Sequence, residues 1–356
     1  MNRSGCVLAI ETSCDETAAA VVAGGGREVR ASVVSSQIAL HAPYGGVVPE
    51  IASRSHIEQL PGVAAQALAK AGADWDGLDA VAVTYGPGLA SSLLTGLSMA
   101  KGIALRRDLP LILVNHLEAH VYSPLLAPDM PAFEAVCPCI ALVVSGGHTC
   151  LVRVERPGRM TLIGQTVDDA AGEAFDKGAS LLGLGYPGGP AMERCGRDGD
   201  AAAVAFPRGK VGKGGGRIDG MQADLCFSFS GLKTALLYHL QRNPLSDDDE
   251  QTRSDLAASF QEAIVDALIA RTRLAMTGCA TLLVGGGVSL NGRLRARLQA
   301  LADEAGFRLL LSPPAYCGDN AAMIGGVAGH GLGYRGRDAH LRDAEPSLPV
   351  ALPPSG

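Results

Sequence analysis

Apolar residues open this chain in two short bursts, over 6–10 and 18–23, and the polar bend Glu11-Thr12-Ser13-Cys14-Asp15-Glu16-Thr17 separates them. Runs this short on either side of a polar bend predict the two strands of a hairpin. The bend itself collects hydroxyls and carboxylates. Residues 29–35 predict a third strand. After the polar loop HAPYGGVVPE the pattern lengthens to that of a helix, over 51–71. A strand over 78–84 then enters the turn Tyr85-Gly86-Pro87-Gly88, followed by a helix over 89–105. A short strand over 111–114 reaches Asn115, a good N-cap for a helix that carries His116 and His120.

Beyond a proline-rich loop over 123–138 the opening pattern returns. Apolar residues 140–144, the turn Ser145-Gly146-Gly147-His148-Thr149 and residues 150–154 repeat strand, bend and strand. Read as a second copy of the first hairpin, this predicts two related halves with a cleft between them. A helix is expected over 166–182, carrying Asp168, Asp169, Glu173, Asp176 and Lys177. Residues 183–220 are glycine-rich and expected to be irregular. Helices over 230–242 and 254–275 flank the acidic loop SDDDE. A strand over 281–284 precedes Gly285-Gly286-Gly287-Val288-Ser289. A basic helix over 291–305, a strand over 307–311 and a helix over 320–331 follow, with a loose tail after them. The alternation of strands and helices is that of an α/β chain. The first lobe is placed at 1–132 plus 319–356, the second at 133–318.

Composition narrows the class. A chain of 356 residues can bury roughly 75% of its unfolded surface. Hydrophobic residues at 47% and charged residues at 19% exclude a disordered chain. The 46 glycines imply tight turns and close backbone approaches to ligands. A formal charge of −6 argues against a surface built to wrap nucleic acid, while leaving room for a local basic patch. The nine cysteines form no pair of CxxC units, so neither a disulfide framework nor a zinc ribbon is indicated. Cys137 and Cys139 read as buried thiols. The first apolar run is too short for a signal peptide, and no run is long enough to span a membrane. A cytoplasmic enzyme is expected.

The stretch VNHLEAH sets two histidines four apart, on one face of a helix. A zinc peptidase needs H-E-x-x-H, with the glutamate directly after the first histidine. Glu118 stands one place too late and faces elsewhere, which argues against peptide hydrolysis. A metal reading then needs a carboxylate from another part of the chain. Asp319, at a helix start, serves that purpose or is simply an N-cap. The two glycine turns and the first bend together suggest a nucleotide site, since glycine lets backbone N–H groups approach phosphate; ordinary tight turns would look the same. Arg208, Lys210, Lys213 and Arg217 crowd one loop, and Arg293, Arg295 and Arg297 share one helix. Such clusters receive an RNA backbone or form solvated faces.

The segments AIETSCDET, YGGVVPEIASRSH, YGPGL, NHLEAH, VSGGHT, DDAAGEAFDKGASLLGLGYPGG, FSFSGLKTA, GGGVSLNGRLR and YCGDNAAMI, in this order, closely resemble the Gcp/TsaD family over about residues 5–330. The resemblance implies a two-lobed actin/Hsp70/sugar-kinase-like (ASKHA) fold around a nucleotide cleft. It implies transfer of a threonylcarbamoyl group from threonylcarbamoyl-AMP to N6 of adenosine 37, in tRNAs reading codons that start with A. By the same resemblance His116, His120 and Asp319 hold one Fe2+ or Zn2+. Val143, Val144, Ser145, Gly146 and Gly147 meet the donor's phosphate or threonylcarbamoyl end. Asp176, Gly189 and Asn291 meet adenosine and ribose, with ATP, ADP or AMP as further cleft ligands. Glu11 and Asp15 are the candidates for proton removal. The implied partners are tRNA, an inactive TsaB-like paralogue, a small TsaE-like ATPase and a TsaC-like synthase that makes the donor. Departures from the family pattern are Ala119, Tyr85 and a longer basic loop over 208–217. A sugar kinase of the same fold is the chief rival, and magnesium's preference for oxygen ligands argues against it here. A noncatalytic paralogue would be expected to lack the histidine pair and the late aspartate.

Overall fold

The computed structural model describes residues 5–127, 129–209, 211, 216–246 and 248–350. Lys210 and Lys213 of the basic loop lie outside the described residues. Contacts divide the chain into two units: Met1–Cys137 with Glu155–Met160 and Ser312–Gly356, and Pro138–Val154 with Thr161–Leu311.

The first unit is built on five strands, Val7–Glu11 (β1), Glu16–Ala23 (β2), Glu28–Ser36 (β3), Ala80–Gly86 (β4) and Leu111–Asn115 (β5), in the order β3-β2-β1-β4-β5. β1 and β2 are antiparallel and close the first hairpin with Glu11 opposite Ala18. β4 runs parallel to β1, and β5 parallel to β4. Every residue of the central strands β1 and β4 is buried, as expected of strands covered on both faces, and so is every residue of the edge strand β5. Helices Pro49–Ala71 and Ala90–Arg107 contact this sheet.

Helix Ala321–Gly329 also lies on this sheet, and glycine decides how closely. A Cβ on Gly325 would stand 2.5 Å from Val22 of β2, and one on Gly326 would stand 2.6 Å from the Tyr122 ring. The two bare positions therefore draw this helix against β2 and against helix His116–Tyr122 at once. That packing delivers Asp319, just before the helix, to the histidines.

The second unit repeats the plan. Its strands are Cys139–Val144 (β6), Thr149–Arg156 (β7), Arg159–Gln165 (β8), the small hairpin Arg217–Ile218 (β9) and Met221–Gln222 (β10), then Thr281–Gly285 (β11) and Arg308–Leu311 (β12). The main sheet has the order β12-β11-β6-β7-β8. β6 and β7 are antiparallel, and β11 is parallel to both β6 and β12. Read from β8, this is the order of the first sheet. Helix Glu250–Ala275 supplies much of the core, with Phe260, Ile264 and Leu268 packed among Phe175, Phe227 and Phe229.

Several expectations are corrected. The helix placed at 166–182 covers only Ala171–Leu181, because Asp168 is used elsewhere: its carboxylate accepts from the N–H groups of Phe229 and Ser230 and from the hydroxyls of Ser228 and Ser230. The segment over 183–220 contains a helix, Gly188–Cys195, whose Met192 and Ala191 reach the core. The segment expected to be a loose tail is docked over its described part, 332–350, while 351–356 lie outside the described residues. Ala339 and Leu348 are buried against β4, β5 and helix Ala90–Arg107. Glu345 N–H donates to the Tyr85 carbonyl at 2.7 Å and the Asn115 amide donates to Pro349 O at 2.7 Å. None of the nine cysteines is in a disulfide; Cys139 is buried and Cys137 half-buried. Among the described residues no helix is long and apolar enough to cross a membrane.

Candidate functional site

Asn115 does what its type predicts: its side-chain oxygen accepts from Leu117 and Glu118 N–H, and helix His116–Tyr122 starts there. One turn separates His116 from His120, and their rings meet edge to face at 4.6 Å between centroids. Asp319 faces both. Its Oδ1 lies 3.1 Å from His120 Nε2 and 3.6 Å from His116 Nε2. The cap of the following helix is Asn320, which accepts from Met323 N–H, so Asp319 is not used as the N-cap. Among the described residues, His116, His120 and Asp319 are the group able to hold a metal, with donor atoms within 4.8 Å of one another.

Glu11 stands behind this triad. It is fully buried, and its Oε2 lies 3.1 Å from His116 Nδ1, with Ser13 Oγ at 3.2 Å from the same nitrogen. The Ser13 N–H and the Thr84 hydroxyl donate to its two oxygens. A carboxylate behind one ring nitrogen turns the other nitrogen toward a ligand, the arrangement that orients metal-bound histidines. Burial alone would raise the Glu11 carboxyl, but attraction to His116 and the hydrogen bonds hold it below its ordinary value. Burial likewise opposes charge on His116, yet Asp319 and Glu11 outweigh it and raise that imidazole to about 9. His120 moves the other way: burial pushes it down. Its Nδ1 is buried without a hydrogen-bond partner among the described residues. Glu16 is pushed up to about 9, by burial first and then by the charges of Asp15 and Asp319.

These residues fit a divalent cation. Two imidazoles and a carboxylate are a borderline donor set suited to zinc or iron. The Nε2 atoms of both histidines face the Asp319 carboxylate, so nitrogen lone pairs and a negative charge converge where a cation would sit. Glu118 lies outside the group; burial lifts its carboxyl to about 7.

In the second unit the residues expected at the substrate fall on three neighbouring pieces. Val143 and Val144 are buried in β6, Ser145 starts the bend, and Gly146 and Gly147 are exposed. The bend closes on itself, with Ser145 N–H donating to His148 O and His148 N–H to Ser145 Oγ. Helix Ala171–Leu181 begins against it: Gly172 N–H donates to Ser145 O, and a Cβ on Gly172 would lie 2.6 Å from that oxygen. Asp176, four residues on, shares the face of Gly172. Its Oδ1 accepts from Gly188 N–H at 2.7 Å, which ties it to the helix beginning beside Gly189. The third glycine turn meets the second, since Gly286, at φ +94°, lies against Val144 O. Asn291 caps helix Gly292–Ala305 through Leu294 N–H and donates to Gln261 Oε1 at 2.7 Å. A cavity of about 600 Å3 is lined by Pro190, the residue after Gly189, by Gln261, which accepts from Asn291, and by Glu193, Glu262 and Arg293 among others.

The arginines expected on a basic face are engaged. Arg293 and Arg297 pair with Glu262, Arg297 and Arg208 with Asp266, and Arg295 donates to Ser289 O. The pairing of Glu11 with His116, and its support by Thr84 and Ser13, were missed from the sequence. The available signal was Glu11 and Thr12 at the end of an apolar strand, since polar groups buried there need partners.

The model of the tRNA N6-adenosine threonylcarbamoyltransferase family matches residues 28–326. The enzyme of that description from Pelobacter propionicus is 50% identical over 328 residues, covering 92% of each chain. Its counterpart from Symbiobacterium thermophilum is 51% identical over 323 residues, 90% of this chain and 89% of its own. That of Geobacter sp. strain M21 is 49% identical, over 97% of this chain and 96% of its own. Among solved structures, full-length HypF in its phosphate- and nucleotide-bound form aligns with a TM-score of 0.56 at 15% identity, and HypF of T. kodakarensis with 0.58 at 13%. They cover 93% and 92% of this chain, which spans about half their length (47% and 48%), and the likeness is one of fold.

Proposed function

The chain belongs to the family of tRNA N6-adenosine threonylcarbamoyltransferases and is an enzyme of that activity, and on that premise we propose how its residues divide the work. The donor is threonylcarbamoyl-AMP and the acceptor is N6 of adenosine 37 in tRNAs that read codons starting with A. The adenine amine attacks the carbamoyl carbonyl carbon, the bond from that carbon to the phosphate oxygen breaks, and AMP leaves while N6 loses a proton. The amine is a poor nucleophile because its lone pair is delocalised into the ring. Positioning and charge stabilisation therefore supply the rate.

The observation that carries this reading is the convergence of His116, His120 and Asp319 with Glu11 behind His116. Fe2+ or Zn2+ held there supplies Lewis-acid polarisation of the donor's carbonyl. Glu11 keeps His116 turned toward the ligand position. Its two oxygens are already engaged, so we assign it positioning and leave proton removal to Asp15 or water. In the second unit the backbone N–H groups of Gly146 and Gly147 receive the phosphate, below the buried anchors Val143 and Val144. Asp176 accepts from ribose hydroxyls, and Gly189 and Asn291 border the base, whose size suits the adjoining cavity. AMP, ADP or ATP would use the same contacts. A TsaC-like synthase supplies the donor; a TsaB-like paralogue and a TsaE-like ATPase complete the assembly, which acts in the cytoplasm.

The test is a reaction with unmodified tRNA, ATP, threonine, bicarbonate, the synthase and the partner proteins, read by mass spectrometry of digested nucleosides. Threonylcarbamoyladenosine is expected with the intact chain and not with the His116→Ala/His120→Ala double variant. Product from both would overturn the metal-centred mechanism.

A further inference from the structure

The segment YGGVVPEIASRSH has no part in the chemistry described above, yet it ends on a buried histidine. His56 lies on helix Pro49–Ala71 and is fully buried, as are Thr17 and His41, with Gln37 2% exposed. These four side chains form one directed chain of hydrogen bonds. Val48 N–H donates to His41 Nδ1 at 3.2 Å, so His41 carries its hydrogen on Nε2 and donates it to Gln37 Oε1 at 3.2 Å. The oxygen thus fixed, the Gln37 amide nitrogen faces Thr17 Oγ1, Ala52 O and His56 Nδ1, at 3.3–3.4 Å. The Thr17 hydroxyl lies 2.8 Å from the same Nδ1. His56 must then carry its hydrogen on Nε2, and that N–H donates to the carbonyl of Cys14 at 3.0 Å.

Cys14 is in the bend of the first hairpin, and the bend is held carbonyl by carbonyl. Ser13 O accepts from Leu89 N–H at 2.8 Å, Cys14 O from His56, and Asp15 O from Gln37 N–H at 3.1 Å. The outer two bonds come from backbone groups that nearly any residue supplies. Only the central one depends on a side chain. The peptide it holds lies between Cys14 and Asp15, in the same bend as Ser13, whose Oγ lies 3.2 Å from His116 Nδ1. A leucine would fill the space of His56 at less desolvation cost; a fully satisfied polar chain in a core instead fixes one geometry. Burial also depresses the His56 imidazole, in keeping with its neutral form.

We propose that His56 is a positioning residue for the transfer: its Nε2–H holds the Cys14 carbonyl and so sets the bend that presents Asp15 toward the metal centre, while Gln37 and His41 hold His56. This rests on the transfer reading given above. Two variants of similar polarity separate positioning from plain stability. His56→Gln places its amide nitrogen near the Nε2 position and keeps the bond to Cys14. His56→Asn reaches only the Nδ1 position and loses that bond. Steady-state kcat and KM for tRNA and donor would be measured in the complete reaction, with metal content and melting temperature of each protein. Loss of an outer positioning contact lowers activity by about 10–100-fold. The expected result is kcat about tenfold or more lower for His56→Asn, recovered to within about threefold in His56→Gln, with metal content and KM unchanged. Equal losses in the two variants, losses that track melting temperature, or an effect confined to KM would overturn the proposal. A wild-type chain that makes no product would remove the transfer reading and this one with it.

Discussion

The two hairpin bends occupy equivalent places in two sheets of the same strand order, and they are built in opposite ways. The first, between β1 and β2, is buried and rich in side-chain chemistry: Glu11, Thr12 and Ser13 are almost wholly enclosed and Asp15 is 9% exposed. The second, between β6 and β7, exposes two glycines with open space where a Cβ would be. The first acts through carboxylates held by hydrogen bonds from distant residues. The second offers bare backbone. A repeated scaffold fixes where a bend sits, and on the proposed reading the residues in it decide whether it organises a cation or receives an anion.

The largest effect that would sharpen this contrast is at the metal end. The His116→Ala/His120→Ala variant should lose about a thousandfold or more in transfer rate, since polarising a carbonyl contributes several kcal/mol. Elemental analysis should show its metal gone, while equilibrium dialysis with AMP should show nucleotide binding intact. Next comes the buried carboxylate. Glu11→Gln keeps volume but not charge, and activity or metal affinity should fall about 10–100-fold; unchanged values would deny Glu11 its orienting role.

The second bend should respond to crowding rather than to charge. Gly172→Ala puts a methyl 2.6 Å from Ser145 O and 2.7 Å from Gly146 Cα, so the bend must shift. The KM for donor should rise about tenfold with metal content unchanged, and melting should fall by the few degrees that about 1–3 kcal/mol represents. Gly147→Ala meets nothing and should leave melting unaltered, a direct control.

The smallest effect is on stability against pH. Burial lowers the folded pKa of His56 below the ordinary imidazole value of 6.5. Between those two values the unfolded chain binds more protons, so stability rises with pH there and is lost as pH falls below about 6.5. His56→Gln should flatten that acid-side decline. An equally steep decline in the variant would mean that His56 does not contribute to it.

The contrast between the bends also marks what could be read from sequence. Short apolar runs and a polar bend sufficed to place both hairpins, and the spacing of His116 and His120 sufficed to put them on one helical face. The late aspartate could be suspected but not chosen, because a ligand and an N-cap look alike until Asn320 is seen to be the cap. Pairings such as Glu11 with His116 or His56 with Cys14 join residues 105 and 42 apart, and local periodicity carries no trace of them. The docked strap over 332–350 was hidden for a related reason. Ala339 and Leu348 are isolated apolar residues, and only the sheet they cover gives them a place. Helix Gly188–Cys195 was hidden by the glycines and proline at its start, of which Gly188 serves close packing against Asp176.

The most direct test of the central claim is equilibrium metal binding to the chelator-stripped full chain, with Zn2+ and, under anaerobic conditions, Fe2+, compared with Asp319→Asn. The account predicts one ion per chain and affinity weakened at least about 100-fold in the variant, since one of three protein ligands loses its charge. Equal affinity in the two proteins, or no ion in the native chain, would contradict it.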